Sequence, residues 1–135
     1  TCFEAFVAVP GEPAYREFNF SPSGHWAAYR FRGERVRDTA AELAQPPVQP
    51  QMDVEVQAHA LVLQVWLPRS ALPMGHAGGA LQLGLSAVIE DQGGQLSYWA
   101  LQHPAARPDF HHRGGMALSL ALPFFDPPPA FQDTP

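Results

Sequence analysis

The chain of 135 residues contains no lysine and only one cysteine, and just 16% of its residues are charged. Each shortage excludes a class of protein. Its positive charge comes from eight arginines set against 13 acidic residues, a net charge of −5, which is the wrong sign for a general reader of nucleic-acid phosphates. A lone cysteine, Cys2, forbids an intrachain disulfide, so the chain is not a small secreted scaffold held by cross-links, and a soluble, cytoplasmic setting is favoured. With no histidine beside it in sequence to activate the thiol, Cys2 reads as a buried structural residue. No apolar run approaches the roughly 20 residues of a membrane helix, and none has the form of a secretory leader. Common catalytic motifs are missing too: there is no GxSxG elbow, no GxxxxGK(S/T) phosphate loop and no GxGxxG turn. Glu4 and Glu17 are the nearest thing to an acid–base pair, but two strand carboxylates without a cleft make a weak case. A non-enzymatic protein is expected.

What the chain has is alternation. Hydrophobic residues make up 46%, with 15 prolines and 11 glycines, a composition suited to one domain of many short strands and turns, large enough to need no staples. Residues 2–9 have almost no polar face and read as a central strand buried on both sides. After the turn Pro10-Gly-Glu-Pro13 a second strand sets Phe18 and Phe20 against Tyr15, Glu17 and Asn19. A third follows Ser21-Pro-Ser-Gly24, from His25 to Arg32. Residues 33–52 read as surface loop or crossover, with one or two helical turns over 39–44 capped by Asp38 or Thr39. Alternation resumes at Val54 and changes phase before Leu61, which requires a tight turn or a bulge at 58–60. Leu81 to Ile89, the turn Asp91-Gln-Gly-Gly94 and Gln95 to Gln102 form the strongest hairpin. Met116 to Leu122 gives the last strand, so a domain spanning 1–122 precedes a proline-rich tail at 123–135. The fold class is all-β, an antiparallel sandwich.

Candidate site residues are few. Trp26, Tyr29, Trp66, Tyr98 and Trp99 lie on strands, and sugar rings stack on exposed tryptophan and tyrosine faces while polar groups at the rim bond hydroxyls. Tyr98 and Trp99 must project to opposite faces, although any one tryptophan is more often core. Asp109, His111 and His112, with His103 before them, form the densest polar cluster. Adjacent histidines cannot both enter one site from a strand and zinc-ligand spacing is missing, so no metal is expected and the Asp109 carboxylate is read as capping loop amides. Met74 with His103, His111 or His112 is the pairing a haem would need. Arg30, Arg32, Arg35 and Arg37 read as a solvated strand end interrupted by Glu34 and Asp38.

Five blocks in order also carry a resemblance: Thr1-Cys-Phe-Glu-Ala-Phe6, Glu17-Phe-Asn-Phe-Ser-Pro-Ser-Gly24, Gly84-Leu-Ser-Ala-Val-Ile-Glu-Asp91, Leu96-Ser-Tyr-Trp-Ala-Leu101 and Pro108-Asp-Phe-His-His112. Within them Phe3-Glu-Ala-Phe6, Tyr15-x-x-Phe18-Asn19 and Pro22-Ser-Gly24-x-Trp26 resemble the DOMON-like superfamily, to which family-nine carbohydrate-binding modules are related, and more narrowly a bacterial group of small DOMON-like proteins. The resemblance implies an immunoglobulin-like or jelly-roll sandwich that binds sugars or haem, with further strands before Thr1. A sandwich short of strands exposes an edge, so a homodimer through that edge is a possible assembly. On this reading the ligand is a carbohydrate or similar small polar molecule held by Trp26, Tyr29, Trp99, Asp109 and His111. Haem-dependent electron transfer and a protein-interaction module are the alternatives.

Overall fold

A computed structural model describes residues 1–45, 47–73 and 79–121. Met74, His76 and the tail from 123 onward, with the haem pairing and the tail reading that rest on them, lie outside the described residues. In chain order the elements are β1 (Cys2–Ala8), β2 (Tyr15–Phe20), β3 (Trp26–Gly33), β4 (Val36–Arg37), a helix α1 (Thr39–Leu43), β5 (Gln51–Val56), β6 (Leu61–Trp66), β7 (Ala80–Glu90), β8 (Leu96–Ala100) and β9 (Leu118–Ala121). Every pairing is antiparallel. The fold is all-β and sandwich-like: a sheet of order β4-β3-β2-β1-β7-β8, with β9 also pairing with β7, and a separate β5–β6 hairpin.

Local chemistry accounts for the turns. Asp91 Oδ1 accepts hydrogen bonds from the Gly93 and Gln95 amides at 2.8 and 2.9 Å, and Gly94 takes φ +79, a value that favours glycine. At the phase change before Leu61 the Gln57 amide donates to the Ala60 carbonyl at 2.8 Å, so the break is a tight turn and not a bulge. Asp38 caps α1 by accepting from the Ala41 amide at 3.0 Å.

Register assigns each strand residue to one of two faces. Phe3, Ala5 and Val7 share one face with Phe20, Phe18 and Arg16 on β2 and with Ala87, Leu85 and Leu83 on β7. On this hairpin face Val7, Phe18, Phe20 and Leu81 are buried, with Met52, Leu63 and Val65 of β5–β6 packed on them. The Arg16 guanidinium donates to the Ser70 carbonyl at 3.1 Å and to that of Ala71, tying down a 3-10 turn at Arg69–Ala71. Burial and the neighbouring Arg30 push that guanidinium down to about 10. On the other face Phe6, Ala8 and Tyr15 are buried together with Met116, and Phe31 and Phe110 pack against them. The segment 101–117 lies on that face. Gly84 permits the approach, since a Cβ there would stand 3.1 Å from the Gly115 carbonyl oxygen.

Two expectations change. Trp26, Trp66 and Trp99 are 40%, 53% and 64% exposed, so no tryptophan belongs to the core. They sit where the covering layers run out, at the start of β3, the end of β6 and on β8, and the interior is built from phenylalanines, which carry no N–H needing a partner. Cys2 is half-buried rather than enclosed, its thiol pushed up by burial and by Glu4. The hairpin does not seal its face: a cleft of about 580 Å³, lined by apolar residues such as Phe3, Phe20, Leu63 and Leu83, remains between β6 and the sheet. Among the described residues no helix is long and apolar enough to cross a membrane.

Candidate functional site

β2 supplies the site because its odd residues, Tyr15, Glu17 and Asn19, share the face that 101–117 only partly covers. Phe31 stands opposite Tyr15 and Tyr29 opposite Glu17. The Tyr15 and Phe31 rings stack at 4.8 Å and 4°. His111, delivered by the loop, meets the Phe6 and Phe31 rings edge-on at 5.2 and 5.1 Å, a favourable aromatic geometry. It is fixed by a chain of hydrogen bonds. The Arg35 amide donates to Tyr15 Oη at 3.1 Å, and Tyr15 Oη lies 2.8 Å from His111 Nδ1. In the tautomer that carries its hydrogen on Nε2, the Tyr15 hydroxyl donates to Nδ1 and Nε2 faces Glu17 Oε2 at 3.7 Å.

Glu17 is 7% exposed, the one buried charged residue among the described residues. Its Oε1 accepts from Asn19 Nδ2 at 2.7 Å, and such a bond offsets part of the cost of keeping a carboxylate out of water. Burial lowers His111 below its ordinary value; Glu17 opposes this, Arg35 adds to it and Asp109 opposes it. The imidazole is therefore neutral at pH 7. Glu4 lies on the same face, opposite Asn19. Burial and then Glu17 push its carboxyl up, against the Ser86 hydroxyl, which donates to Oε2 at 3.3 Å. Asn19 Oδ1 is buried and has no partner among the described residues.

The rim is made of ion pairs. Arg35 Nη2 bonds Asp109 Oδ1 at 2.7 Å. For the Asp109 carboxyl burial raises, but the Arg35 bond and charge and the His111 amide outweigh it, so the net direction is down. The capping role expected of Asp109 is thus shared with a cross-loop pair 74 residues apart. Arg37 grips Glu42 through Nε and Nη2 at 2.9–3.1 Å, and its guanidinium lies 4.3 Å above the Tyr29 ring. Neither Nη1 atom is hydrogen-bonded among the described residues. Together Glu17, Tyr29, Phe31, Arg35, Arg37 and His111 enclose an open basin of about 280 Å³.

Of the residues singled out in the sequence, Tyr29, Asp109 and His111 meet here. Trp26 and Trp99 stand on the opposite face. Trp26 shares a hollow of about 230 Å³ with Arg16 and Arg30, and Trp99 donates from Nε1 to Ser97 Oγ at 3.1 Å on β8. His112 turns inward on its own loop, accepting from the Gly114 amide at 3.0 Å. Sequence reasoning gave Tyr15 no place in a site, set Arg35 and Arg37 aside as part of a solvated strand end, and weighed Glu17 only as a partner of Glu4. The available signal was a glutamate flanked by Tyr15 and Asn19 on one face of an alternating strand. Among the described residues no group of three or more His, Cys, Asp or Glu side chains is placed to hold a metal ion. The larger cleft under the hairpin is lined mainly by apolar residues, with Glu4 and Ser86 the polar residues of its lining. Compared with known proteins, the chain matches no family model, no curated protein and no solved structure.

Proposed function

We propose that this protein is a non-catalytic β-sandwich domain that binds a carbohydrate or similar small polar ligand in the basin between β2, β3 and the 109–111 loop. One observation carries the reading: an acceptor (Glu17), two guanidinium groups with donors to spare (Arg35, Arg37) and aromatic walls (Tyr29, Phe31) converge on one opening. A sugar needs all three, because its hydroxyls both donate and accept while its C–H faces seek rings. The resemblance of the β1–β3 motifs to DOMON-like domains and family-nine carbohydrate-binding modules points the same way. Titration calorimetry against a glycan panel tests it. Binding that Tyr29→Ala and Glu17→Gln each weaken at least about tenfold, the loss of one good buried contact, supports the reading. A panel in which no sugar binds overturns it.

A second reading, an interaction module that pairs with its own copy, has its own observation: Leu85, Trp99, Leu118 and Leu120 are 41–64% exposed on the hairpin face. Contiguous apolar surface of this kind marks contact sites. Sedimentation that yields a dimer, dissociated by Trp99→Lys, supports this reading; a monomer at high concentration removes it.

A further inference from the structure

On the hairpin face, away from the basin, register sets Arg16 of β2 directly opposite Arg30 of β3. Like charges so placed repel, and among the described residues no carboxylate forms an ion pair with either guanidinium. Their bonds go to neutral acceptors instead. Arg16 Nη1 donates to the Ser70 and Ala71 carbonyls and Arg30 Nη2 to the Gln45 side-chain oxygen, which leaves Nε and the second terminal nitrogen of each without a partner among the described residues. Both arginines are half-buried, yet of the described residues only Asn19 has a side-chain nitrogen or oxygen that is enclosed and unpartnered. The four spare nitrogens therefore reach accessible space. That space is the hollow of about 230 Å³. Along β3 the residues Trp26, Ala28 and Arg30 share its face, so the tryptophan and the guanidinium start about 13 Å apart, with only the Ala28 methyl between them and Phe18 alongside. Pro47 and Val48 line its side. Glu42, the acidic residue of the lining, is held by Arg37 and by the Arg30 amide.

From this arrangement we propose that the hollow binds a phosphate monoester carrying a flat ring, with the phosphate between Arg16 and Arg30 and the ring on Trp26. Nucleoside monophosphates and simple aryl phosphates share that chemistry. Guanidinium forks match phosphate oxygens two at a time, and two positive charges answer a group that is close to doubly negative at neutral pH, where a carboxylate would answer only one. The anion also relieves a repulsion that the paired strands build in: burial and the Arg30 charge both disfavour the charged form of Arg16. At the far end Trp26, 40% exposed, offers a ring face for stacking, and the apolar stretch between suits the uncharged middle of such a molecule. The net charge of −5 opposes a long polyanion, but a small phosphate meets mainly the two guanidinium groups beside it. The basin takes no part, since it lies on the opposite face, and sugar binding there, found or not, does not bear on this site.

Calorimetry on the full chain with adenosine monophosphate, phenyl phosphate, adenosine and inorganic phosphate tests the proposal. Both monoesters are expected to bind, and adenosine at least about tenfold more weakly than its monophosphate, the scale of one charge-assisted contact. Tighter binding of adenosine monophosphate than of phenyl phosphate assigns the site to nucleotides, and the reverse order assigns it to aryl phosphates. Arg30→Gln is the variant of choice, because Arg16 also ties down the Arg69–Ala71 turn. It is expected to weaken both monoesters about tenfold. Trp26→Ala, at an exposed position, is expected to remove about fivefold from the monoesters, the scale of one ring contact, and to leave inorganic phosphate unchanged. Inorganic phosphate should also raise the melting temperature of the parent more than sodium chloride of equal ionic strength does, and Arg30→Gln should abolish that excess. Failure of both monoesters to bind overturns the proposal, as does binding that Arg30→Gln leaves intact.

Discussion

The two faces of the seven-stranded sheet are made by the same strands and differ in nearly everything else. Under the hairpin, Phe18, Phe20, Val7 and Leu81 are packed without a polar partner, yet a cleft of about 580 Å³ stays open beside them. Under the 101–117 segment the buried set includes Tyr15, which bonds the distant Arg35 and His111, and Glu17, which accepts from Asn19 two residues along its own strand. The lesson is that hydrophobic patterning is enough to fill a layer but not to give it chemistry. Specific geometry arises on the face where a loop returns polar groups to a strand that already carries some. Cores tolerate looseness because dispersion and hydration are not directional, whereas a buried carboxylate demands a donor at a set distance and angle.

Deep core changes on either face break the fold most. Phe18→Ala and Phe6→Ala remove side chains 2% and 1% exposed and should each cost about 3–5 kcal/mol by chemical denaturation. If Phe18→Ala costs clearly less than Phe6→Ala, the hairpin is the looser of the two layers. Next comes Tyr15→Phe, which keeps the ring stack on Phe31 but removes the hydroxyl that accepts from Arg35 and is hydrogen-bonded to His111. A loss of about 1–3 kcal/mol is expected, together with weaker ligand binding. An equal loss of stability with unchanged binding would separate the network from the basin.

Acid should act through the loop-covered face. His111 titrates below its ordinary value when folded, so between its folded value and about 6.5 the unfolded chain binds more protons. Stability is full above about pH 6.5 and falls as pH drops through that window. Glu4 works in the opposite sense: its carboxyl is raised when folded, so its contribution is present below the unfolded value and is lost as pH rises through the folded one. Melting temperatures followed from pH 7.5 to 5.5 should therefore decline, and His111→Gln should flatten the decline while leaving a Trp99→Ser variant's profile parallel to the parent. The smallest effect is expected at the rim. Arg35→Gln breaks an ion pair whose side chains are 58% and 29% exposed, and about 1 kcal/mol or less of stability should go with it, while ligand affinity falls.

Much of the fold was legible because it is local. Alternation in Leu81 to Ile89, the Asp91-Gln-Gly-Gly94 turn and the helix cap each depend on residues within a few positions of one another; the first two stand where the pattern puts them, and of the two cap candidates the structure chooses Asp38 over Thr39. The phase change at Leu61 left two options because turn and bulge both restore alternation; only the Gln57 to Ala60 bond chooses. The general leaning of tryptophan toward the core fails here for a related reason. Side-chain size and apolarity say that a residue favours burial, but whether a covering layer reaches it is a property of the other elements.

Period-two patterning, turn chemistry and the shortage of charge by themselves determined an antiparallel all-β chain and which residues of each strand share a face, because both follow from backbone geometry over a few residues. The tertiary structure alone decided that His111 would meet Tyr15 across 96 positions, that Arg35 and Arg37 would rim a basin rather than trail in solvent, and that Trp26 and Trp99 would stand on the far side from it. Such meetings depend on where the 101–117 segment lands on the sheet, and that is settled by packing and by the search of buried polar groups for partners, which no local stretch of sequence encodes.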